Sequence, residues 1–155
     1  MTLHFAYGSN MSRDLMMRRC PQAVAIRPGW LAHWRFIIMR DGYASIVPAP
    51  GERVHGVVWR LSARDLAALN SYESLDSGLY RVRMLTVRVG SQMAKARVYV
   101  GHTREKGRPR AGYQEEVVAA ARAWRLPLDY VEELQRWQPA RRSGQRTPEP
   151  GTSDD

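Results

Sequence analysis

The alternation of apolar and polar positions near the N-terminus predicts short strands around one helix. The apolar run Leu3–Tyr7 predicts a strand, and Ser12–Cys20 predicts a short helix with a serine cap at its start. A second strand is expected at Ala23–Arg27, where the Pro28-Gly29 pair predicts a turn. The chain therefore begins with a strand-helix-strand unit.

The central part of the sequence predicts a β-hairpin. Asp41-Gly42 is a strong hairpin signal, and it lies between the strand-like segments Trp30–Arg40 and Tyr43–Val47. The Pro-rich segment Pro48–Arg53 predicts a loop. The largely apolar Val54–Leu61 then predicts a strand that is covered on both faces.

The remaining segments add a second hairpin and three helices. Leu79–Val89 and Gln92–Val100 flank Gly90-Ser91, and alternation with a period of two marks the later strand as half-buried. Helices are predicted from Ser62 to about Asn70, over Tyr113–Trp124, and from Pro127 to Trp137. Hairpins with a few peripheral helices indicate an α+β protein with a curled or closed, mostly antiparallel sheet.

Length and composition favour one domain with a tail. The chain has 155 residues and is 44% hydrophobic, which suits a single folded domain over residues 1–137. Residues 138–155 are rich in Pro, Gly, Ser, Thr and charge, and we expect a disordered tail there. The sequence contains neither a long apolar run nor an apolar signal core at its start, so we expect a cytoplasmic protein without a membrane span.

The net charge of +9 raises the question of a polyanionic partner. The basic residues are mostly single arginines, with one cluster at Arg104–Arg110, and no known nucleic-acid motif accompanies them. We therefore do not expect a nucleic-acid partner. A basic module that binds RNA or another polyanion without catalysis remains the alternative from a different class.

Cysteine and histidine usage indicates neither disulfides nor a metal site. Cys20 is the single cysteine, and its place at the end of a helix favours a buried, unreactive side chain. The four histidines are scattered without the spacing of metal ligands.

The segment Tyr7-Gly8-Ser9-Asn10 is the most informative motif in the chain. It joins the first predicted strand to a helix through small residues, and such a junction presents backbone N–H groups to a small anion such as a carboxylate. A strand-to-helix turn also needs small residues for steric reasons alone. The motif by itself therefore leaves both interpretations open.

Five blocks in a fixed order decide between these interpretations. They span nearly all of residues 3–137, and together they resemble the γ-glutamylcyclotransferase family. The blocks are Phe5–Met11, Ala44–Trp59, Ser71–Tyr80, Gly112–Val117 and Leu126–Leu134.

The resemblance implies a small mixed β-barrel flanked by helices, with an active-site cavity at one end. It implies an enzyme that releases 5-oxoproline and a free amine from γ-glutamyl amines or amino acids. The α-amino group of the substrate attacks its own γ-carbonyl, so neither a cofactor nor a metal is expected. A related transferase that moves amines between γ-glutamyl compounds is a further alternative, and the protein is expected to be a monomer or a homodimer.

The resemblance also assigns site residues. Glu73 matches the catalytic glutamate that takes and returns a proton, although most glutamates in proteins are simply solvated. The segment Tyr7–Asn10 would bind the glutamyl group, and Tyr80 and Tyr113 would line the cavity, unless they only pack at the barrel rim. Ser74 departs from the family, which commonly has glycine after the glutamate.

Overall fold

Five strands form the centre of residues 2–139, the part of the chain that the computed structural model describes. They close a barrel in the order β1-β3-β2-β4-β5, in which β1 and β5 are parallel and the other neighbours are antiparallel. The predicted α+β class and the mixed, mostly antiparallel barrel are confirmed. The strands are β1 Thr2–Ala6, β2 Val24–Ile38, β3 Ala44–Leu61, β4 Tyr80–Val89 and β5 Gln92–Gly101.

Both predicted hairpins are present. The β2–β3 turn contains Gly42 with φ +91°, and the β4–β5 turn contains Gly90 with φ +62°. Both values lie in the left-handed region, which glycine adopts without steric cost. The glycines at these two positions therefore mark the two tight turns that connect neighbouring strands of the barrel.

The turn predicted at Pro28-Gly29 is wrong, because β2 continues through it. Pro28 pairs with Val57 and Gly29 with Gly56 in the ladder to β3. A Cβ atom on Gly29 would lie 2.7 Å from the carbonyl oxygen of Arg88 in β4. The glycine therefore permits the close approach of two strand backbones.

The loop predicted at Pro48–Arg53 is an irregular part of β3. Arg53, at the end of this segment, pairs with Ala32 of β2, and Pro48, at its start, pairs with Trp34. Five residue steps along β3 therefore lie opposite two residue steps along β2. The Gly51 N–H donates to Nδ1 of His33 at 3.0 Å, and His33 has φ +69°. The extra residues of β3 bulge without ending the strand.

Four α-helices lie outside the barrel in the described part of the chain. Ser12 Oγ accepts from Leu15 N at 3.3 Å, and Ser62 Oγ accepts from Asp65 N at 3.1 Å, so both predicted serine caps are confirmed. A short 3-10 helix at Ser9–Met11 precedes the first helix and packs against α3. The α-helices are α1 Arg13–Arg19, α2 Ala63–Tyr72, α3 Tyr113–Ala123 and α4 Leu128–Gln135.

Cys20 lies between α1 and α2 and is fully buried, as predicted. Its Sγ donates to the carbonyl oxygen of Asp65 at 3.3 Å. Burial raises the pKa of this thiol to about 11, so it is protonated near neutral pH. The side chain is therefore part of the packing between the two helices.

The C-terminal expectations fall largely outside the structure. From residue 140 on, the predicted tail lies outside the described residues, and the domain boundary after residue 137 stays a prediction. None of the helices within residues 2–139 has the length and apolar character needed to cross a membrane.

Candidate active site

A cavity of about 200 Å³ opens at one end of the barrel. Its walls come from the end of β1, the starts of β3, β4 and α3, the end of β5, and the segments that follow β1 and α2. All seven residues that the sequence singles out line this cavity: Glu73, Tyr7, Gly8, Ser9, Asn10, Tyr80 and Tyr113. The fold therefore brings together residues that are up to 106 positions apart in the chain.

The first wall is the segment Tyr7–Asn10, which we name the β1 loop. The hydrogen bonds that close the 3-10 helix use the N–H groups of Met11 and Ser12. The backbone N–H groups of Ser9 and Asn10 take no part in these two hydrogen bonds. The Ser9 N–H lies within hydrogen-bonding reach of the Tyr113 hydroxyl oxygen, so the Asn10 N–H is the remaining candidate to meet an anion in the cavity.

Close packing around Gly8 favours glycine in this loop. Its φ is −109°, outside the left-handed region. A Cβ atom at this position would lie 3.0 Å from the Tyr113 hydroxyl oxygen and 3.3 Å from Cβ of Ala44. A larger side chain would therefore displace the phenol or the start of β3.

The second wall is Glu73–Gly78, which we name the Glu73 turn. Glu73 is the C-terminal cap of α2, and Ser74 follows it with φ +55°. Ser74 N donates to Ser71 O at 3.1 Å, and Leu75 N donates to Asn70 O at 3.3 Å. These two bonds form a Schellman motif, in which the left-handed position is usually glycine. The serine therefore adopts the conformation that a glycine would adopt more easily.

The Glu73 carboxyl group is held at the cavity wall by one side-chain hydrogen bond. Asn10 Nδ2 donates to Glu73 Oε1 at 2.7 Å. Desolvation raises the pKa of Glu73 to about 7, against the opposing effects of the Asn10 hydrogen bond and the Arg19 charge. A carboxyl group with this pKa can both accept and return a proton near neutral pH.

Six of the seven tyrosines in the chain line the cavity. The hydroxyl groups of three of them donate to protein acceptors at 2.5 Å. Tyr7 donates to Tyr99 O, Tyr80 to Ala44 O, and Tyr99 to Asn70 Oδ1. These three phenols therefore already use their single donor inside the protein.

Tyr113 differs from those three phenols. Its hydroxyl oxygen accepts from the backbone N–H of Ala44 at 3.2 Å, which leaves the hydroxyl hydrogen to point elsewhere. Burial raises its pKa above the ordinary value, so the phenol stays protonated. Its hydrogen can therefore be directed either to the neighbouring Ser9 side chain or to a molecule in the cavity.

Sequence reasoning missed four residues that build the site: Arg19, Tyr43, Tyr72 and Tyr99. Three of them are tyrosines that line the cavity, and Arg19 contacts the β1 loop from behind. Tyr72 immediately precedes Glu73, and Tyr43 immediately follows the Asp41-Gly42 turn. Proximity to these motifs was the only available signal for the two tyrosines.

The described residues contain no group of three His, Cys, Asp or Glu side chains that could hold a metal ion. Glu73 is the one carboxylate among the residues that line the cavity. The site thus offers a proton acceptor, a loop of backbone N–H groups and phenol donors. This arrangement suits proton transfer and the binding of a small polar molecule.

Curated relatives of the chain are gamma-glutamylcyclotransferases. The chain is 30% identical over 150 residues to the gamma-glutamylcyclotransferase of Homo sapiens, covering 88% of this chain and 79% of the human protein. It is 29% identical over 150 residues to the protein of that name from Mus musculus, with the same coverage.

A solved structure named gamma-glutamyl cyclotransferase superposes with a TM-score of 0.83 at 26% identity, covering 95% of this chain and 94% of the other. The family model described as "Gamma-glutamyl cyclotransferase, AIG2-like" matches residues 4–125. The matched range contains both cavity walls, strands β2 to β5 and the last three residues of β1. The chain therefore belongs to the gamma-glutamyl cyclotransferase, AIG2-like family.

Proposed function

We propose that this protein is a γ-glutamylcyclotransferase that converts γ-glutamyl amines or amino acids into 5-oxoproline and a free amine. The observation that carries the proposal is Glu73, a desolvated carboxyl group with a pKa of about 7 at the wall of the cavity. A module that only binds anions gains nothing from a carboxylate at this place. The position of Glu73 therefore favours the enzyme over the polyanion-binding alternative.

The reaction begins with proton transfer from the substrate to the protein. The Glu73 carboxylate accepts a proton from the substrate α-ammonium group, and the resulting amine attacks the γ-carbonyl carbon of the same molecule. Because the nucleophile is part of the substrate, holding the substrate in a folded conformation lowers the activation free energy. The reduction is on the order of 7–11 kcal/mol in the best intramolecular reactions. The protein therefore needs no nucleophile of its own.

The second half of the reaction returns the proton. The new C–N bond gives a tetrahedral intermediate with a negative oxygen, toward which Tyr113 donates its hydroxyl hydrogen. The bond to the leaving amine then breaks as protonated Glu73 gives its proton to that nitrogen. The regenerated Glu73 carboxylate takes the second proton from the ring nitrogen and passes it to the free amine, which departs as an ammonium ion. The products are 5-oxoproline and the amine, and neither water nor another reactant is consumed.

The β1 loop binds the α-carboxylate of the substrate through its backbone N–H groups in this proposal. Its place beside Glu73 supports this role, since Asn10 of the loop contacts the Glu73 carboxyl group directly. Tyr7 and Tyr80 shape the cavity, and their hydroxyl groups are committed to backbone carbonyl groups. We expect the reaction to take place in the cytoplasm without a cofactor.

A panel of γ-glutamyl compounds tests the proposal. The purified protein is incubated with γ-glutamyl amino acids and γ-glutamyl alkylamines, and 5-oxoproline is measured by mass spectrometry. The matched control is the same substrate with an acetylated α-amino group, which removes the nucleophile and should abolish product formation.

Release of glutamate in place of 5-oxoproline would indicate a hydrolase. Formation of a new γ-glutamyl amide with an added amine would indicate a transferase. Either result contradicts the proposal, as does the absence of turnover across the panel.

A further inference from the structure

Arg19, the last residue of α1, lies behind the β1 loop and contacts that loop and the last residue of α2. Its Nη1 donates to Asn10 Oδ1 and, at 3.2 Å, to Ser9 Oγ. Its Nη2 donates to the Tyr72 hydroxyl oxygen. The guanidinium carbon also lies 3.6 Å from the centroid of the Tyr72 ring. Arg19 thus connects the β1 loop to the end of α2.

These contacts fix the orientation of the Asn10 side chain. A guanidinium group has donors and no acceptor, so the Asn10 atom that faces Arg19 is the amide oxygen. The amide nitrogen must then face Glu73, where its N–H donates to Oε1 at 2.7 Å. If the amide were reversed, its oxygen would face the carboxylate and the hydrogen bond would be lost.

We propose that Arg19 is a positioning residue that acts on Glu73 through Asn10. It holds the amide so that the N–H always points at the carboxylate, and it adds a positive charge behind that amide. Both effects favour the ionised form of Glu73, which is the form that accepts the substrate proton. The importance of this form rests on the function proposed above.

The surroundings of Glu73 make the Arg19 charge important. The cavity side chains that face Glu73 from the neighbouring elements are phenols, and burial raises their pKa values, so they are neutral near pH 7. They are Tyr7 after β1, Tyr72 of α2, Tyr80 of β4, Tyr99 of β5 and Tyr113 of α3. Arg19 is the cation whose charge lowers the pKa of Glu73.

Removing the charge should raise the pKa of Glu73 above its value of about 7. We expect Arg19→Gln to raise it by about 1, since nearby opposite charges shift a carboxyl pKa by roughly 1–3. A smaller fraction of the Glu73 carboxyl group would then be ionised at pH 7. The acidic limb of the kcat/KM profile should move to higher pH by the same amount.

The direct measurement is a carbon-13 NMR titration of glutamate side chains in the full-length protein. The Glu73 signal is assigned by its loss in Glu73→Gln. Arg18→Gln is the matched control, because Arg18 is the neighbouring residue of α1 and is exposed. Arg19→Lys tests the charge alone, and Arg19→Met keeps an apolar stem against Tyr72 should Arg19→Gln fold poorly.

The expected result is a raised Glu73 pKa in Arg19→Gln and Arg19→Met, with smaller changes in Arg19→Lys and Arg18→Gln. An unchanged Glu73 pKa in Arg19→Gln or Arg19→Met would overturn the proposal. Equal shifts in Arg18→Gln and Arg19→Gln would do so as well, because the effect would then be one of net charge. The titration requires no turnover, so it also distinguishes this inference from a failure of the proposed reaction.

Discussion

The two walls of the cavity differ in how firmly the protein holds them. Tyr7, Ser9 and Asn10 of the β1 loop are 5%, 8% and 6% exposed, whereas Asp76, Ser77 and Gly78 of the Glu73 turn are exposed to solvent. The β1 loop continues a barrel strand, and the Glu73 turn follows the end of a peripheral helix. In the proposed function, substrate binding falls to the buried, rigid wall and proton transfer to the less buried one.

The contrast explains why the two walls are tied together. Asn10 contacts Glu73, and Arg19 contacts both Asn10 and Tyr72. Glu73 begins a turn whose far end is exposed, so its carboxyl group keeps a fixed position only if the rigid wall supports it. Changes in the β1 loop should therefore affect KM or folding, and changes at Glu73 should affect kcat.

The largest effect is expected for Glu73→Gln. The amide is nearly isosteric with the carboxyl group but does not accept the ammonium proton, so kcat should fall about 10²- to 10⁴-fold while KM changes little. Steady-state release of 5-oxoproline gives both constants. Asp76→Asn, which removes an exposed carboxylate from the same turn, is the control and should leave kcat unchanged. More than about a tenth of the wild-type kcat in Glu73→Gln would remove Glu73 from the mechanism.

Tyr113→Phe should have the next largest effect, and Tyr80→Phe provides the comparison. Loss of the Tyr113 donor should lower kcat by about 10²-fold, the cost of removing one donor to a developing oxyanion. Tyr80→Phe leaves the Ala44 carbonyl group without its partner and should mainly reduce stability, by about 1–3 kcal/mol.

Thermal melts and kinetics of both variants separate these outcomes. If Tyr80→Phe loses as much kcat as Tyr113→Phe while both remain folded, the assignment of the donor to Tyr113 is wrong.

Gly8→Val tests the rigid wall. A Cβ atom alone would meet the Tyr113 hydroxyl at 3.0 Å, and two more methyl groups would crowd the loop further. Such overpacking costs about 1–3 kcal/mol, so KM should rise by roughly 10-fold or more, or the melting temperature should fall by several degrees. Gly8→Ala should give a smaller change in the same direction. Unchanged kinetics and stability in Gly8→Val would mean that the loop does not constrain the cavity.

The sequence predicted the parts of the site that lie in continuous motifs. The β1 loop and Glu73 were found because each lies in a block of several residues with recognisable order. Arg19 was not found, because nothing in the sequence separates it from Arg18. The two side chains differ by about 100° around the helix axis, and only packing decides which one reaches Asn10.

The strand errors have the same kind of cause. Pro28-Gly29 has the composition of a turn, but the glycine is used for the approach of β4 to β2. Pro48–Arg53 also has loop composition, and yet the ladder between β2 and β3 resumes beyond it. Local chemistry predicted the places where backbone geometry is unusual. Long-range strand pairing decided whether the chain turned there.

Ser74→Gly should give the smallest effect and tests the exposed wall. Ser74 has φ +55°, a conformation that costs a residue with a Cβ atom about 1–2 kcal/mol. Glycine removes this cost, but it also gives the unfolded chain more conformational freedom, which lowers the stability of the fold by about 0.5–1 kcal/mol. We expect a net gain of about 0–1.5 kcal/mol, or a rise in melting temperature of up to about 3–6 °C in a protein of this size.

Ser74→Ala is the control for Ser74→Gly, because it removes the hydroxyl group and keeps the Cβ atom. It should bring no gain in melting temperature. In Ser74→Gly, kcat should stay close to wild type, because the Asn10 hydrogen bond still holds Glu73 when the turn relaxes. A lower melting temperature in Ser74→Gly than in Ser74→Ala would show that the left-handed conformation is not a cost to the fold. A large loss of kcat with an intact fold would show instead that the serine itself fixes Glu73, and the contrast between a rigid and a supported wall would have to be revised.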